Sequence, residues 1–205
     1  MTRWGMVLDL ARCIGCNACT VSCKIENGTP ADHYWARVYT EEQGEFPNVK
    51  TTYVPALCNH CVDAPCVAVC PTGASHQRDD GIVLVDQHTC IGCRACMMAC
   101  PYSARFYLRD GMLDTGYHGQ ERTAYEDAKW QWFTEGTVTK CTFCAHRVDT
   151  GLEPACVVTC PAEARIFGDL DDPESAPSRL IRERNGVQPL AELGTNPSVY
   201  YVEGR

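Results

Sequence analysis

The chain has 205 residues, of which 45% are hydrophobic and 21% charged, a composition that is typical of a folded globular protein. Its formal net charge of −8 argues against general nucleic-acid binding, which needs a basic surface. No stretch approaches about 18 consecutive apolar residues, so the sequence predicts no membrane-spanning helix. The first ten residues do not have the pattern of a secretory signal, and none is predicted.

In chain order, the predicted elements alternate with groups of four cysteines that we call quartets. The quartets start at Cys13, Cys58, Cys90 and Cys141. A strand precedes the first quartet, a helix follows it, and residues 29–48 are predicted to form a polar loop. An Asp-Gly turn between apolar runs predicts a hairpin before the third quartet. The predicted strands are Met6–Leu10, Val49–Val54, Ala74–Gln77, Ile82–Val85, Ala104–Leu108, Ala164–Phe167 and Val199–Val202, and the helices are Thr20–Glu26 and Pro173–Arg184.

Sixteen cysteines at fixed spacings indicate metal ligation, because a chain of this length does not need disulfides for stability. The third quartet reads C-I-G-C-R-A-C-M-M-A-C-P over Cys90–Pro101, the spacing by which bacterial ferredoxins hold iron–sulfur clusters. Three thiolates on one tight loop suit a cubane face better than a structural zinc site, which joins two separate C-x2-4-C pairs. Zinc stays the alternative metal.

No histidine fills a cysteine position in any quartet, so a Rieske-type centre is not expected. Four of the remaining histidines are predicted to be ordinary surface residues: His33, His76, His88 and His118. The chain has no P-loop, dinucleotide fingerprint or nucleophile–base signature, so no catalysis of its own is predicted.

Sixteen cysteines with four ligands per cluster predict four 4Fe–4S clusters. The fourth cysteine of such a run points away from the first three, so each quartet gives it to a partner quartet. The hairpin brings quartets two and three together and leaves quartets one and four to each other. The predicted ligand sets are site A (Cys13, Cys16, Cys19, Cys160), site B (Cys23, Cys141, Cys144, Cys156), site C (Cys58, Cys61, Cys66, Cys100) and site D (Cys70, Cys90, Cys93, Cys96).

Positive groups near a cluster raise its reduction potential. Lys24 stands where the other quartets have proline, and Arg94 lies inside a cysteine run, so these two are the predicted tuning residues. The alternative is that both are solvated surface cations.

The expected fold class is α+β, with two ferredoxin-like modules of short helices, hairpins and long connecting loops. Residues 1–57 and 138–172 form the predicted outer module, and residues 58–108 form the inner one. Residues 109–137 are predicted to be an insertion loop, either a docking surface or a loop packed on its own domain. Residues 173–205 form a C-terminal helix and an extended tail.

The quartets and their neighbouring residues resemble the iron–sulfur (beta) subunit of the DMSO reductase superfamily. The similarity is greatest to the short subunits of polysulfide, thiosulfate, tetrathionate and arsenate respiratory reductases. The segments that carry it are Leu57-Cys58-Asn59-His60-Cys61, Ala64-Pro65-Cys66, Cys70-Pro71-Thr72-Gly73-Ala74, Lys140-Cys141-Thr142-Phe143-Cys144 and Phe167-Gly168-Asp169-Leu170-Asp171-Asp172-Pro173.

The resemblance implies a non-catalytic electron-transfer subunit with four 4Fe–4S clusters. Its implied partners are a large molybdenum or tungsten bis-pterin catalytic subunit and a quinone-linked membrane anchor. It further implies that site A faces the catalytic subunit and that site C lies at the far, membrane-side end. The implied location is peripheral to the membrane, with the periplasmic face favoured through export with a signal-bearing partner and the cytoplasmic face as the alternative. The alternative is a free-standing polyferredoxin.

Overall fold

The structure is a computed structural model that describes residues 2–203. It is mixed α and β, as predicted, with short helices, hairpins and long connecting segments. The strands are β1 (Trp4–Asp9), β2 (Arg37–Gln43), β3 (Lys50–Ala56), β4 (Ser75–Gln77), β5 (Val83–Val85), β6 (Arg105–Tyr107), β7 (Val138–Lys140), β8 (Arg165–Asp169) and β9 (Val199–Val202). The helices are α1 (Ala18–Asn27), α2 (Pro65–Ala68), α3 (Ala95–Met98), α4 (Ala124–Trp130), α5 (Ala145–Val148), α6 (Ala155–Val158) and α7 (Ala176–Arg184).

A three-stranded sheet joins the two ends of the chain. Strand β1 lies in the centre, antiparallel to β8 and parallel to β9, so that Met6 is opposite both Phe167 and Val199. Met6, Val7 and Leu8 have no exposed surface, as expected of a central strand that is covered on both faces. The C-terminal segment is therefore part of the sheet that leads into the first quartet.

The remaining strands form three two-stranded hairpins or ribbons. The predicted hairpin is confirmed, with β4 antiparallel to β5. The prediction of a polar loop over residues 29–48 is wrong for Arg37–Gln43, which is strand β2 and pairs with β3. Strand β2 is exposed from Tyr39 to Gln43, so its sequence lacks the alternation of apolar and polar residues by which strands are recognised.

Strand β6 follows the third quartet and pairs with β7, which leads into the fourth quartet. The register places Arg105 opposite Lys140, and both side chains are buried. This pairing joins the predicted inner and outer modules by backbone hydrogen bonds. The division into two modules stays a prediction.

The 109–137 segment contains helix α4, whose start is fixed by a capping box between Thr123 and Glu126. The buried Trp130 donates its indole N–H to the carbonyl of Gly28 (2.9 Å), at the end of α1. Lys129 donates to the carbonyl of Glu26 (2.7 Å). Helix α4 therefore packs on its own chain, which is one of the two alternatives predicted for this segment.

Most of the hydrophobic core lies between the β1 sheet and the loops of quartets one, two and four. A smaller core lies between the second and third quartets and is formed by Cys66, Val83, Cys96 and Val138. Among residues 2–203, no helix is both long and apolar enough to cross a membrane.

Candidate iron–sulfur centres

The first and third quartets have the same local geometry. Gly15 and Gly92 follow the first cysteine of each by two residues and have positive φ angles of 69° and 66°. Asn17 and Arg94 precede α1 and α3, and both adopt the left-handed conformation. Each loop therefore reverses twice within seven residues, which points three cysteines toward one centre while the helix carries the fourth cysteine away.

Three cavities of nearly equal size lie among the cysteine loops. Each is lined by four cysteines, and those four are a predicted ligand set. The first cavity contains the cysteines of site A, the second those of site C and the third those of site D. In each case three cysteines come from one quartet and the fourth comes from its partner.

The cysteines of site B are all buried. The side-chain amide nitrogen of Asn27 lies 3.5 Å from the sulfur of Cys23 and 3.7 Å from that of Cys144. Burial raises the pKa of Cys23 well above its ordinary value, and the nearby thiols of Cys141, Cys156 and Cys144 raise it further. The structure thus brings together all four predicted sets, while their role as iron ligands stays a prediction.

Burial keeps the thiols of the inner cysteines protonated in the absence of a bound cation. Burial raises the pKa of Cys156 to about 11 and that of Cys61 to about 12, so both thiols are protonated at neutral pH unless a cation binds. Coordination to iron removes these protons. Backbone N–H groups also point at the outgoing sulfurs: Ser75 donates to Cys70 and Ala164 donates to Cys160, both at 3.3 Å.

The four sites lie in the order A, B, C, D. Sites A and B are joined by the packing of α1 against α6, and sites C and D by that of α2 against α3. Sites B and C lie side by side, because the loop that holds Cys58 and Cys61 packs on the loop that holds Cys141 and Cys144. Cys16 in site A and Cys93 in site D are exposed.

The order corrects one expectation from the family resemblance, which placed site C at the far end. Cys58 lies in the main core beside site B, whereas site D extends from site C into the smaller core and ends at the exposed Cys93. Site D is therefore the terminal site. The reason is that the loop of the second quartet packs against the loop of the fourth.

An aromatic stack forms the contact between those two loops. The ring of His60, between Cys58 and Cys61, lies 3.7 Å from the ring of Phe143, between Cys141 and Cys144. The backbone N–H of Val83 donates to Nδ1 of His60 (3.0 Å). Burial lowers the pKa of His60 well below its ordinary value, and the charges of Lys140 and Arg105 lower it further, so the ring is neutral.

The two predicted tuning residues differ in burial, because Lys24 is half-buried and Arg94 is exposed. Nζ of Lys24 donates to three carbonyls and a hydroxyl of the following loop, and burial lowers its pKa to about 8. Arg94 is exposed, lines the site D cavity and stacks its guanidinium 3.7 Å above the ring of Tyr107. Their role in tuning stays a prediction.

Sequence reasoning missed two buried arginines. Arg105 and Arg165 are only 4% and 3% exposed, and both lie beside cysteines of two neighbouring sites. The sequence carries a signal for them, since an Ala-Arg pair follows the Cys-Pro of the third and fourth quartets at the same distance. This repeat indicates that the two positions have the same surroundings.

The prediction that four of the six histidines lie at the surface is wrong for His33, which is 4% exposed. Its ring packs against Phe106 (5.4 Å between centroids), and its Nδ1 lies 3.3 Å from the hydroxyl of Thr139. His76 and His88 are exposed, as predicted, and the side chain of His118 lies outside the described residues.

Comparison with protein families gives the class of protein. A family described as 4Fe-4S dicluster domain matches residues 49–113 and 118–170, and a second family of the same description matches residues 12–74. These matches cover all four quartets. The chain is therefore built of 4Fe–4S dicluster domains, with 4Fe–4S clusters as their cofactors.

Sequence identity to curated proteins defines the class of iron–sulfur protein more closely. The chain is 47% identical to a putative iron-sulfur subunit of dimethyl sulfoxide reductase from Halobacterium salinarum, over 100% of the chain and 80% of that protein. It is 42% identical to the arsenate respiratory reductase iron-sulfur subunit of a Shewanella species, over 98% of the chain and 96% of that protein. A tetrathionate reductase subunit from Salmonella typhimurium is also 42% identical, over 98% of the chain and 72% of that protein.

These relatives confirm the family that the motifs indicated. The chain belongs to the iron–sulfur (beta) subunits of the DMSO reductase superfamily. Such proteins are electron-transfer subunits of reductase complexes, not their catalytic subunits.

Proposed function

We propose that the chain is an electron relay with four 4Fe–4S clusters, held at sites A to D by the sixteen cysteines. Bound there, each cluster would take up and release one electron. The observation that carries the proposal is the continuous row of cysteine sites between two exposed ends, Cys16 at site A and Cys93 at site D.

The protein's contribution is to hold, space and shield the clusters. Short helices that carry the cysteines pack against each other in each pair of sites. Helix α1 contacts α6 in the pair A and B, and α2 contacts α3 in the pair C and D. The stack of His60 on Phe143 keeps sites B and C adjacent. Burial of the central cysteines keeps water from the interior of the row, while the two ends stay accessible to partners.

The partners follow from the family. We infer a large molybdenum or tungsten bis-pterin catalytic subunit at the site A end, in support of which the relatives are named as subunits of reductases. The second partner is a quinone-linked membrane anchor at the site D end. The chain itself would be peripheral to the membrane, on the periplasmic face if it is exported with a signal-bearing partner. Anaerobic respiration is the process that such a complex would serve.

Iron and sulfide analysis tests the cluster count. Four cubanes predict about 16 iron and 16 acid-labile sulfide atoms per chain after anaerobic purification. A count near half of that would limit the relay to two sites. Zinc in place of iron, without visible absorption, would exclude the proposal.

Copurification separates the complex from the alternative of a free-standing polyferredoxin. A tagged chain expressed in its own host is expected to bring down a large pterin-containing subunit in equal amount. An isolated monomer that carries all its iron would instead support the polyferredoxin.

A further inference from the structure

Two buried arginines occupy matching places in the two halves of the chain. Arg105 is the first residue of β6, and Arg165 is the first residue of β8. Arg105 follows Cys100 of the third quartet by the same number of residues as Arg165 follows Cys160 of the fourth. Their side chains are 4% and 3% exposed. Two positions with the same chemistry in a repeated framework point to a role that each half of the molecule needs.

Each guanidinium lies between two cysteine sites. Arg165 has its Nη1 atom 3.8 Å from the sulfur of Cys156 in site B, interacts by charge with Cys19 of site A, and lines the site A cavity. Arg105 interacts by charge with Cys66 of site C and Cys96 of site D, and it lines the site C cavity. Each arginine is thus shared by the two sites of one pair.

Neither guanidinium has a protein anion to balance it. Among residues 2–203, no carboxylate lies within ion-pair distance of Arg105 or Arg165. Both Nη atoms of Arg105 and Nη2 of Arg165 are buried without an oxygen or nitrogen acceptor, and the groups that their side chains face are the sulfurs of Cys66, Cys96 and Cys19. A buried, unpaired cation is strongly unfavourable, so a negative charge is expected where these atoms point. Thiolate-ligated clusters carry that charge.

We propose that Arg105 and Arg165 are a matched pair of charge-compensating residues, each of which raises the reduction potentials of both clusters in its own pair of sites. This rests on the proposed cluster assignment. Reduction adds a negative charge, and a fixed positive charge in a water-poor interior favours the reduced form. Because each guanidinium lies between two sites, one arginine acts on two neighbouring steps of the relay.

The pattern of shifts tests the proposal. Arg105→Gln and Arg165→Gln remove the charge and keep a hydrogen-bond donor. The full-length chain with assembled clusters is titrated anaerobically and followed by electron paramagnetic resonance. Each variant is expected to shift two of the four titration steps, with the reduced-to-oxidised ratio at a fixed potential at least tenfold lower, about 59 mV for one electron. The two variants are expected to shift different pairs of steps.

Two controls separate charge from packing. Arg105→Lys and Arg165→Lys keep the charge and are expected to stay within about threefold of the wild-type ratio, about 28 mV by the same constant. Arg179→Gln, which removes an exposed arginine of α7, is expected to leave all four steps unchanged.

Each result decides the proposal. If a Gln variant loses iron while the Lys variant keeps it, the charge requirement is supported, since both substitutions shorten the side chain. Loss of iron from both, no shift in the Gln variants, equal shifts in Lys and Gln variants, or the same two steps shifting in both Gln variants would overturn the inference. Iron and sulfide in the wild-type chain test the cluster assignment separately, so the two failures are distinguishable.

Discussion

The outer half of the molecule, with sites A and B, and the inner half, with sites C and D, hold the same arrangement of cysteines in very different surroundings. The outer half has the three-stranded sheet, the main core and α4 packed on α1. The inner half has the β4–β5 hairpin and the small core between the second and third quartets. The cysteine loops and one buried arginine are what the halves share, so we propose that these are the parts that act on the clusters.

Because the two halves have hydrophobic cores of different size, we expect their cysteine sites to differ in stability. Local opening is easiest where few apolar groups are buried. Site D has its buried Cys96 in the small core and also contains the exposed Cys93, whereas site C joins the two cores, with Cys58 in the main core and Cys66 in the small one. Damage at site D should therefore stay local, and damage at site C should spread to its neighbours.

The largest expected effect comes from comparing Cys58→Ala with Cys93→Ala. Loss of the buried ligand removes a group from the contact between the two halves, so we expect loss of two or more clusters, about 8 iron atoms, or failure to fold. Cys93→Ala is expected to lose at most one cluster. Iron analysis and visible absorption measure both. Equal iron loss in the two variants would contradict the unequal support of the halves.

A second comparison tests how far α4 supports the outer half. Trp130 is 4% exposed and bonded to Gly28, so Trp130→Ala should destabilise the protein by about 3–5 kcal/mol. Trp132, two residues on, is 75% exposed and is the matched control, with an expected change within about 0.5 kcal/mol. The rate at which visible absorption bleaches in guanidinium chloride measures both.

The electron paramagnetic resonance signals of the clusters at sites A and B should disappear first in Trp130→Ala, since α1 carries Cys19 and Cys23. If the signals of sites C and D are lost at the same accelerated rate, α4 supports the whole molecule instead of its outer half.

The cysteine framework could be read from the sequence because its spacing is local. A tight loop followed by a helix sends Cys100 away from Cys90 whatever the rest of the chain does, and the hairpin then identifies its partner quartet. The order of the sites could not be read this way. It depends on the packing of His60 on Phe143, residues that lie in separate cysteine motifs far apart in sequence, and neither motif indicates that the two pack together.

The buried residues Arg105 and His33 were missed for a related reason. Arginine and histidine are usually exposed, so their burial is set by tertiary contacts that composition and periodicity do not report. Strand β2 lacks an apolar face and is formed by pairing with β3, which a search for hydrophobic periodicity cannot detect.

A third comparison concerns the equivalent glycines of quartets one and three. Both have positive φ angles, so alanine at either position costs about 1–2 kcal/mol in backbone strain. A Cβ atom at Gly92 would lie 2.0 Å from the carbonyl oxygen of Gly136, whereas at Gly15 it would meet the ring of Tyr53 at 2.4 Å. A side chain can rotate and a backbone carbonyl cannot, so Gly92→Ala is expected to be the more damaging.

We expect Gly92→Ala to destabilise the protein by about 1–3 kcal/mol more than Gly15→Ala, as for overpacking of a rigid site. The difference in bleaching rate between the two variants in guanidinium chloride is the measurement. A larger effect of Gly15→Ala would mean that the β2–β3 ribbon holds Tyr53 more rigidly than its exposure indicates.

The smallest expected effect is a pH dependence of stability that arises where β6 of the inner half pairs with β7 of the outer half. His33 lies between Phe106 of β6 and Thr139 of β7, and burial lowers its pKa to about 4, with a further decrease from the charge of Lys24. Charge from Arg109 also lowers the pKa, while Asp32 and a backbone hydrogen bond with Tyr107 oppose the decrease.

The sign follows from proton binding. The unfolded chain takes up a proton at His33 near its ordinary pKa of about 6.5, whereas the folded chain stays neutral down to about 4. The unfolded state therefore binds more protons in this window, and stability falls as pH decreases through it. His33→Gln removes the titrating group, so the drop in melting temperature between pH 7.5 and pH 5 should be smaller in the variant than in the wild type. An equal decrease in melting temperature in both proteins would show that protonation of His33 does not separate β6 from β7, and that acid instability begins at other groups.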